Sequence, residues 1–462
     1  MELRKRPGST GLPRIQAPPQ WGIEPVPGTH RVLGFLDYFA LWSSLGVGLL
    51  VLLAGTLLVP ALGLVQALLA IIIGTLIGNA LLALVGFMGS RTGVPTMVLF
   101  RPALGMRGSY LPTLLNVLQL VGWGAFEIFI MAQAAHGIAR QVFGASSFMA
   151  WALFFTAICT ALAVSGPLAV VRQWIEKFAV WLVYLSTIYL TVYLFTHHDM
   201  GALFARPGTG GLTFWAAVDL VVAMPVSWMP LVADYNRFAR DDRQAFWGTY
   251  LGYFVANVWF YALGALFVLA LGTQELIPAI LSLAGGWLAL VLILVDETDN
   301  AFANIYSTAV SAQNVLSRTP QWVLAVLTGG TCFLVAWWIS TGVPTAAYEG
   351  FLFLIGSLFV PLFGVLAADY FALRRGYETA EMYRPGGAYW YGQGVNARAL
   401  AAWALGFAAY RLLVTYLPGV GASLPSFLVS AVAHLALSRM VPDRQASRHR
   451  RLSPHRRKDE SR

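Results

Sequence analysis

The sequence predicts an all-α integral membrane protein with twelve transmembrane helices. Of its 462 residues, 58% are hydrophobic and only 11% are charged, whereas soluble globular proteins carry about 25% charged residues. The hydrophobic residues form continuous runs of about 20, the length that crosses a bilayer. They lack the alternation of outer-membrane barrel strands. The composition therefore excludes a soluble enzyme with one membrane anchor, and it also excludes a disordered or disulfide-rich secreted chain.

Twelve apolar runs are long enough to be spans. Residues 1–30 before them are polar and rich in proline, without the apolar core of a signal peptide, so we expect a disordered tail. Residues 441–462 after them form a basic tail. The predicted spans are residues 33–59, 65–88, 111–139, 148–167, 174–196, 213–235, 246–272, 279–304, 321–341, 347–373, 398–416 and 422–440.

The positions of lysine and arginine predict the orientation of the chain. With both termini in the cytoplasm, all but three of the 30 lysine and arginine residues fall in the tails or in cytoplasmic loops, as the positive-inside rule requires. The exceptions are Arg140, Arg206 and Arg411. We therefore expect a multi-pass protein of the inner cell membrane. No aromatic-interleaved basic module accompanies the basic tails, so nucleic acid is not an expected partner.

The third span carries a polar face. Asn116, Gln119, Trp123 and Glu127 follow one another at steps of three and four, which places them within an arc of about 80°. A tryptophan one turn from a carboxyl group offers a stacking surface and a hydrogen-bonding edge, which suits a flat heterocyclic ligand. The alternative is a polar stripe that joins helices.

The eighth span contains a cluster of carboxyl groups. Residues 296–300 read Asp-Glu-Thr-Asp-Asn, and Asn304 follows one turn later. Three ionised carboxylates facing lipid would cost about 8–10 kcal/mol. Asp296, Glu297 and Asp299 must therefore face a cavity, bind a cation or hold a proton. The alternative is neutralisation by a buried arginine such as Arg411.

Two spans carry helix-breaking residues near their middle. Residues 42–48 of the first span read Trp-Ser-Ser-Leu-Gly-Val-Gly, and residues 224–230 of the sixth read Met-Pro-Val-Ser-Trp-Met-Pro. Unwound backbone at membrane depth is tolerated only beside a cavity. First and sixth are equivalent positions in a five-helix unit used twice, which indicates an inverted-repeat transporter with its site at the midplane. The alternative is two ordinary kinks.

The loop after the second span adds a more specific motif. It reads Arg-Thr-Gly-Val-Pro over residues 91–95 and Arg-Pro-Ala-Leu-Gly over residues 101–105. Together with Gly122-Trp123, residues 233–237 and residues 298–304, it resembles the nucleobase:cation symporter-1 family, also called purine/cytosine permeases. The resemblance covers residues 30–440, although Leu104 replaces the usual aromatic residue of the loop motif.

A narrower resemblance concerns one branch of that family. Residues 123–127, Trp-Gly-Ala-Phe-Glu, and residues 227–234 are most similar to the family's hydroxymethylpyrimidine (thiamine-precursor) transporters.

The resemblance implies the leucine-transporter fold. Residues 31–200 would form the first five-helix repeat, residues 211–375 the second, and residues 376–440 two peripheral helices. It also implies that Trp123 stacks on the substrate ring, that Glu127 stands where a glutamine contacts it, and that the broken sixth span supplies a second aromatic wall. The candidate substrate-binding residues are Ser44, Gly46, Gln119, Trp123, Glu127, Pro225, Ser227, Trp228, Asn300 and Asn304.

A coupling-ion site is implied as well. The family's sodium site uses backbone carbonyls of the first span and hydroxyl groups of the eighth. Thr298 matches one hydroxyl position, whereas Asp299 replaces the other, so the ion is either Na⁺ or H⁺. The candidate cation-binding residues are Leu45, Gly48, Asp296, Thr298 and Asp299.

These features predict a secondary active transporter without a cofactor. It would import a small nucleobase-like heterocycle, such as hydroxymethylpyrimidine or cytosine, together with a cation by alternating access. One alternative is an intramembrane prenyltransferase that uses Asp296 and Asp299, and another is a related symporter for purines or hydantoins. The sequence leaves open the oligomeric state and the roles of Asp219 and Arg411.

Overall fold

A computed structural model describes residues 21–167, 180–273, 275–342 and 346–440. Within these ranges the regular structure is helical, apart from two isolated β-bridges. The remaining residues lie outside the described part, among them residues 1–20 and 441–462 of the predicted tails and the first residues of the predicted fifth span.

Eighteen α-helices are described. The first nine are α1 (Phe35–Ser44), α2 (Leu49–Thr56), α3 (Leu64–Thr92), α4 (Thr96–Leu99), α5 (Arg101–Leu104), α6 (Tyr110–Phe143), α7 (Phe148–Ser165), α8 (Val180–His197) and α9 (Met200–Ala205). The second nine are α10 (Phe214–Trp228), α11 (Val232–Asn236), α12 (Asp242–Leu271), α13 (Leu276–Ser282), α14 (Gly286–Gln313), α15 (Gln321–Ser340), α16 (Ala346–Ala367), α17 (Ala397–Tyr416) and α18 (Ser423–Met440). A π-helical turn, Ala368–Arg374, extends α16.

Eight helices of the described part are long and apolar enough to cross a membrane, and the bent pair α1 and α2 makes a ninth. The eight are α3, α6, α7, α8, α12, α15, α16 with its π-helical extension, and α17. The predicted sixth, eighth and twelfth spans are also helices, but α10 has only 15 residues, α14 carries three carboxyl groups and α18 is less apolar. The membrane-protein class is therefore confirmed, whereas the count of twelve spans stays a prediction.

The first span is broken where its sequence predicts. α1 ends at Ser44, α2 begins at Leu49, and their axes differ by 58°. Gly48 has a φ of 151° and a ψ of 163°, a backbone conformation that is essentially restricted to glycine. The break therefore depends on this one residue having no side chain.

The sixth span is broken at the second of its two prolines and not at the first. α10 continues through Pro225 and ends at Trp228, and α11 begins at Val232. The missing N–H of Pro225 costs one backbone hydrogen bond, but the proline ring packs beside Gly78 of α3, where no side chain intervenes. The interruption follows at residues 229–231, which include Pro230.

The eighth span needs a correction of its limits. The predicted range 279–304 joins the end of α13, a separate short helix, to the first two thirds of α14. Gly285, with a φ of 73°, separates the two helices. Because α14 runs on to Gln313, the carboxyl cluster lies near the middle of the helix.

α12 supports both halves of the broken first span. A Cβ atom added to Gly252 would lie 2.5 Å from the Phe39 carbonyl oxygen of α1. Farther along α12, Gly264 faces the Leu52 backbone of α2. These close approaches fix the two half-helices, and with them the non-helical backbone between residues 44 and 49.

Part of the predicted N-terminal tail packs on the helices. The Val26 N–H donates to the Gly93 carbonyl over 2.9 Å, and Arg237 Nη1 donates to the Gly22 carbonyl over 2.6 Å. Residues 21–26 therefore pack on the helices, whereas residues 27–30 are exposed.

Candidate functional site

Four elements meet around one enclosed cavity. They are the break between α1 and α2, the middle of α6, the end of α10 and the middle of α14. The free volume inside is only about 10 Å³, which is room for about one water molecule, so the cavity is contracted. Its lining residues are Leu45, Val47, Gly48, Leu50, Val51, Trp123, Glu127, Met224, Ser227, Trp228, Asn300 and Asn304.

Trp123 is the aromatic wall that α6 contributes. Its ring meets Tyr348 at 6.0 Å between centroids and Phe351 at 5.2 Å, both with the rings steeply inclined. Tyr348 in turn donates from its hydroxyl to the Leu50 carbonyl over 2.9 Å. The indole is thereby held in place, while its Nε1–H has no acceptor among the described residues. That buried donor is available to a ligand.

Two carboxyl groups face each other beside the cavity. Glu127 of α6 and Glu297 of α14 lie close to each other. One oxygen of each, Oε2 of Glu127 and Oε1 of Glu297, has no hydrogen-bonding partner in the described structure. Two facing carboxylates repel each other unless a proton or a donor group lies between them. The pair is therefore built to receive hydrogen bonds.

Glu297 also connects this pair to the broken helix. Its Oε2 accepts a hydrogen bond over 3.0 Å from the N–H of Leu49, the first residue of α2. Glu297 is not among the residues predicted to bind the substrate or the cation. Its spacing gives a signal for it, because Glu297, Asn300 and Asn304 follow at steps of three and four and so share a face of about 60°.

In the two asparagines of α14, the amide nitrogens form hydrogen bonds within the protein, and the Asn300 oxygen is left without one. Asn300 Nδ2 donates to the Val47 carbonyl in the break over 3.0 Å, and Asn304 Nδ2 donates to the Asn300 carbonyl over 2.9 Å. Asn300 Oδ1 has no partner among the described residues. Both side chains line the cavity, where Asn300 offers an acceptor.

Asp296 and Asp299 lie on the neighbouring face of α14. Ser44 Oγ donates to Asp296 Oδ1 over 2.6 Å, and Asp299 is also close to that hydroxyl group. Both carboxyl groups are fully buried. Neither oxygen of Asp299 forms a hydrogen bond in the described part of the chain. Arg411 is exposed on α17 and forms no ion pair with them among the described residues. Neutralisation by Arg411 is therefore wrong.

Four predicted substrate-binding residues do not line the cavity. Gln119 donates to Asn116 Oδ1 over 2.8 Å and to the Ser227 carbonyl over 3.0 Å, and so joins α6 to α10. Gly46 packs against α12, and Pro225 packs against α3. Ser44 points to Asp296 instead. Trp228, the aromatic residue of this span nearest the break, does line the cavity.

Thr298 is separated from the other predicted cation ligands. Its hydroxyl donates to the Val295 carbonyl of its own helix over 2.8 Å. Its side chain lines a different, apolar cavity of about 480 Å³ between α6, α7 and α14. Leu45 and Gly48, by contrast, lie at the first cavity.

Asp219 has a structural role that its sequence did not reveal. Its two oxygens accept hydrogen bonds from the backbone N–H groups of Ala422, over 2.6 Å, and Ser423, over 2.9 Å. Ser423 is the first residue of α18. Asp219 therefore caps the N-terminus of α18 from α10.

The two sides of the cavity are closed to different degrees. On the side of α2 and α13 lies a second opening of about 350 Å³, which Leu53, Phe129 and Tyr348 help to line; we call it the vestibule. On the other side, Trp42 Nε1 donates to Asn236 Oδ1 over 3.1 Å, and the Trp42 ring packs edge-on against Trp228. Several packed side chains therefore separate the cavity from the surface on the side of Trp42; we call them the closed layer. The vestibule lies on the other side.

Comparison with known proteins agrees with these features. The profile of a family described as permeases for cytosine/purines, uracil, thiamine and allantoin matches residues 25–434. The hydantoin permease of Microbacterium maritypicum is 24% identical over 406 residues, which cover 82% of this chain and 81% of the relative. The cytosine permease of Escherichia coli K12 is 28% identical over 382 residues, which cover 80% and 83%.

A solved structure shows the same fold. The nucleobase-cation-symport-1 family transporter Mhp1, in a closed conformation with bromovinylhydantoin bound, superimposes with a TM-score of 0.80 at 23% identity, covering 94% of this chain and 99% of that one. The prenyltransferase alternative is thereby rejected. The chain belongs to the family of permeases for cytosine/purines, uracil, thiamine and allantoin, and it is a secondary active transporter of heterocycles rather than an enzyme.

Proposed function

We propose that this protein imports a small heterocycle that carries amino or ring N–H donors, together with a cation. The observation that carries the proposal is the facing carboxyl pair Glu127 and Glu297 at the edge of a cavity that also contains Trp123. A planar ring stacked on the indole would present its donor edge to the two carboxyl groups.

The polar atoms of the cavity favour an aminopyrimidine type of ring. Glu127 and Glu297 supply acceptors, Asn300 Oδ1 supplies a third, and Trp123 Nε1 supplies a donor. A ring with an amino group next to a ring nitrogen, as in hydroxymethylpyrimidine or cytosine, matches a set dominated by acceptors. Uracil-like and hydantoin rings present more carbonyl oxygens, which would leave buried carboxyl oxygens without donors at a cost of about 1–3 kcal/mol each.

Transport would proceed by alternating access. In the proposed architecture, twelve spans form two inverted five-helix units, residues 31–200 and 211–375, with residues 376–440 at the periphery. The contracted cavity must expand to hold a ring, and the vestibule beside α2 gives the route by which it would open. A leucine-transporter fold allows this by motion of the broken helices.

The coupling cation, Na⁺ or H⁺, would bind near Ser44, Asp296 and Asp299. Leu45 and Gly48 lie in the adjacent unwound backbone, whose carbonyl groups could complete the site; Thr298 faces elsewhere and is left out of it. Uptake into proteoliposomes under an imposed sodium or proton gradient tests the coupling. A rate that is indifferent to both gradients would contradict symport.

The proposed location is the inner cell membrane with both termini in the cytoplasm. The bias of lysine and arginine towards one side supports this orientation. The vestibule would then open to the outside, as import requires.

A ligand panel tests the substrate class. We expect hydroxymethylpyrimidine and cytosine to raise the unfolding midpoint of the purified protein more than purines, uracil or hydantoin do, with and without sodium. Trp123→Ala should weaken ligand binding by about tenfold or more, because base–aromatic stacking contributes about 1–3 kcal/mol. Binding can be measured by titration with radiolabelled ligand.

Trp337→Ala is the matched control, because Trp337 is an exposed tryptophan on α15. It should leave binding unchanged. Equal affinity of wild type and Trp123→Ala would refute the stacking role, and a preference for oxo-substituted rings would refute the donor-edge hypothesis.

A further inference from the structure

A second polar cavity lies at the ends of the two outermost helices. It has a volume of about 650 Å³ and shares no lining residue with the substrate cavity. The π-helical end of α16, the loop 375–396, the beginning of α17 and the end of α18 surround it. The residues on which the argument depends are Asp369, Arg374, Arg375, Tyr389, Arg398 and Ser438.

One wall of this cavity is fixed by a hydrogen-bond network. Asp369 accepts from Arg374 Nε over 3.0 Å and from the Tyr377 hydroxyl over 2.8 Å, and His434 Nε2 lies 3.2 Å from its other oxygen. The Arg374 guanidinium also lies over the Tyr389 ring, 4.9 Å from its centroid. The charge of Asp369 is thus balanced by Arg374, and Arg374 is held in one position.

The charged side chains at the cavity are predominantly basic. Arg374, Arg375 and Arg398 line it, against the carboxyl groups of Asp369 and Glu378. The field at this cavity therefore attracts an anion.

Arg375 adopts a backbone conformation that usually belongs to glycine. It ends the π-helical turn with a φ of 57° and a ψ of 33°, in the left-handed region. Helices usually place glycine or asparagine at such a position, because a Cβ atom is disfavoured there. Glycine can therefore replace this exposed arginine without added backbone strain.

The cavity lies at the edge of the apolar outer surface. Arg398 stands at the beginning of α17 and Ser438 near the end of α18, whereas Leu405 and Val432 of these helices are exposed apolar side chains. Seven residues of helix rise by only about 10 Å. Phospholipid headgroups lie at this boundary between apolar and polar surface.

We propose that this cavity binds the phosphate group of an anionic phospholipid. Arginine recognises phosphate oxygens through paired N–H groups, and Arg375 would supply them, while Arg374, Arg398 and Tyr389 form the wall. Basic pockets between the ends of membrane helices are suited to lipid headgroups. The inference is independent of the transported substrate.

The experiment uses the purified full-length protein in detergent. Phosphatidylglycerol and phosphatidylcholine are titrated separately, and bound lipid is counted by native mass spectrometry while the unfolding midpoint is recorded. We expect phosphatidylglycerol to bind and stabilise at concentrations at which phosphatidylcholine does not. Arg375→Gly should weaken this effect by about tenfold, the loss of one charge-assisted hydrogen bond.

Replacing Arg375 with glycine removes the guanidinium charge without adding backbone strain. Glycine accepts the left-handed conformation, so Arg375→Gly should fold at least as well as wild type. Arg375→Lys should retain most of the lipid effect, and Arg318→Gly, which removes an exposed arginine from a different loop, should retain all of it.

Three results would overturn the proposal. They are equal binding of the two lipids, an unchanged lipid effect in Arg375→Gly, and an equal stabilisation by inorganic phosphate alone. The last of these would assign the site to a free anion instead of a lipid.

Discussion

Glu297 carries two functions on one buried side chain. Its Oε2 accepts a hydrogen bond from the first N–H of α2, its Oε1 has no hydrogen-bond partner in the described part, and the carboxyl group lies close to Glu127. Ligand recognition and the position of the broken helix are thus joined at a single carboxyl group. A substitution that preserves the shape of Glu297 and removes its charge separates the two functions.

Glu297→Gln is that substitution. The amide oxygen can still accept from Leu49, and the amide N–H can donate to Glu127, so we expect the protein to remain folded. Ring donors, however, lose one charged acceptor, which should weaken binding of cytosine-type ligands by about tenfold or more. Titration calorimetry on wild type and variant measures the change.

The matched control is Glu378→Gln, which removes a carboxylate from an exposed loop position. It should not alter ligand affinity. If Glu297→Gln bound amino-substituted rings as tightly as wild type does, the carboxyl pair would not be the recognition edge.

Asp219 illustrates a polar residue in a membrane helix whose role is structural. It lies in a predicted span, where a carboxylate by default indicates function, yet both of its oxygens cap α18. No sequence pattern on α10 could reveal this, because the partner N–H groups lie about two hundred residues later in the chain.

Asp219→Ala should lower the stability of the detergent-solubilised protein by about 2–3 kcal/mol, because it leaves two buried N–H groups without acceptors. Chemical denaturation monitored by circular dichroism measures the loss. Asp199→Ala removes an exposed cap of the short helix α9 and should cost about 1 kcal/mol or less. Equal losses for the two variants would contradict the capping role.

At the scale of the elements, the interrupted helices determine the site. The break of the first span could be predicted, since serines and two closely spaced glycines in the middle of an apolar run disfavour a continuous helix. The break of the sixth could be placed only approximately. Pro225 is compensated by its packing against Gly78 of α3, and that contact is not visible in the local sequence.

The same distinction applies to the site residues. Trp123, Glu127, Asn300 and Asn304 follow helical spacing on α6 and α14, and the structure brings them to one cavity. Gln119 shares the face of α6 but is occupied by contacts with α10. Periodicity gives the direction of a side chain and does not give its depth along the helix, which depends on how neighbouring helices are aligned.

Gly48 is the position at which the broken element can be tested. An added Cβ atom would lie 3.0 Å from both Glu297 carboxyl oxygens and 3.2 Å from Asn300 Nδ2. Its φ of 151° also disfavours any side chain, at a cost of about 1–3 kcal/mol. Gly48→Ala should therefore displace α2 from α14 and reduce both ligand binding and transport by at least about tenfold.

Gly350→Ala is the control for this substitution, because Gly350 of α16 has no neighbouring atoms within 4 Å of an added Cβ. It should leave transport in proteoliposomes unchanged and could raise stability slightly. Normal ligand affinity in Gly48→Ala would show that the break does not shape the cavity.

At the scale of the whole molecule, the closed layer and the vestibule stand on opposite sides of the cavity. Trp42, Trp228 and Tyr235 form a cluster of edge-on rings on the closed side. Ser307 of α14 is buried close to Tyr235 and Asp234 in that layer. Leu53 of α2, by contrast, is only half-buried at the vestibule. An alternating-access cycle must exchange these two environments.

Single cysteines at the two positions make the exchange measurable. The native Cys159 and Cys332 are buried, so their background reaction with maleimides should be low. We expect Leu53→Cys to react readily and Ser307→Cys to react slowly in the resting protein. When substrate and coupling cation are added, the conformational equilibrium shifts towards states that enclose or release the substrate. Labelling of Leu53→Cys should then slow while labelling of Ser307→Cys accelerates. Rates that change in the same direction at both positions would indicate general loosening of the bundle, and they would contradict a cycle in which one side closes as the other opens.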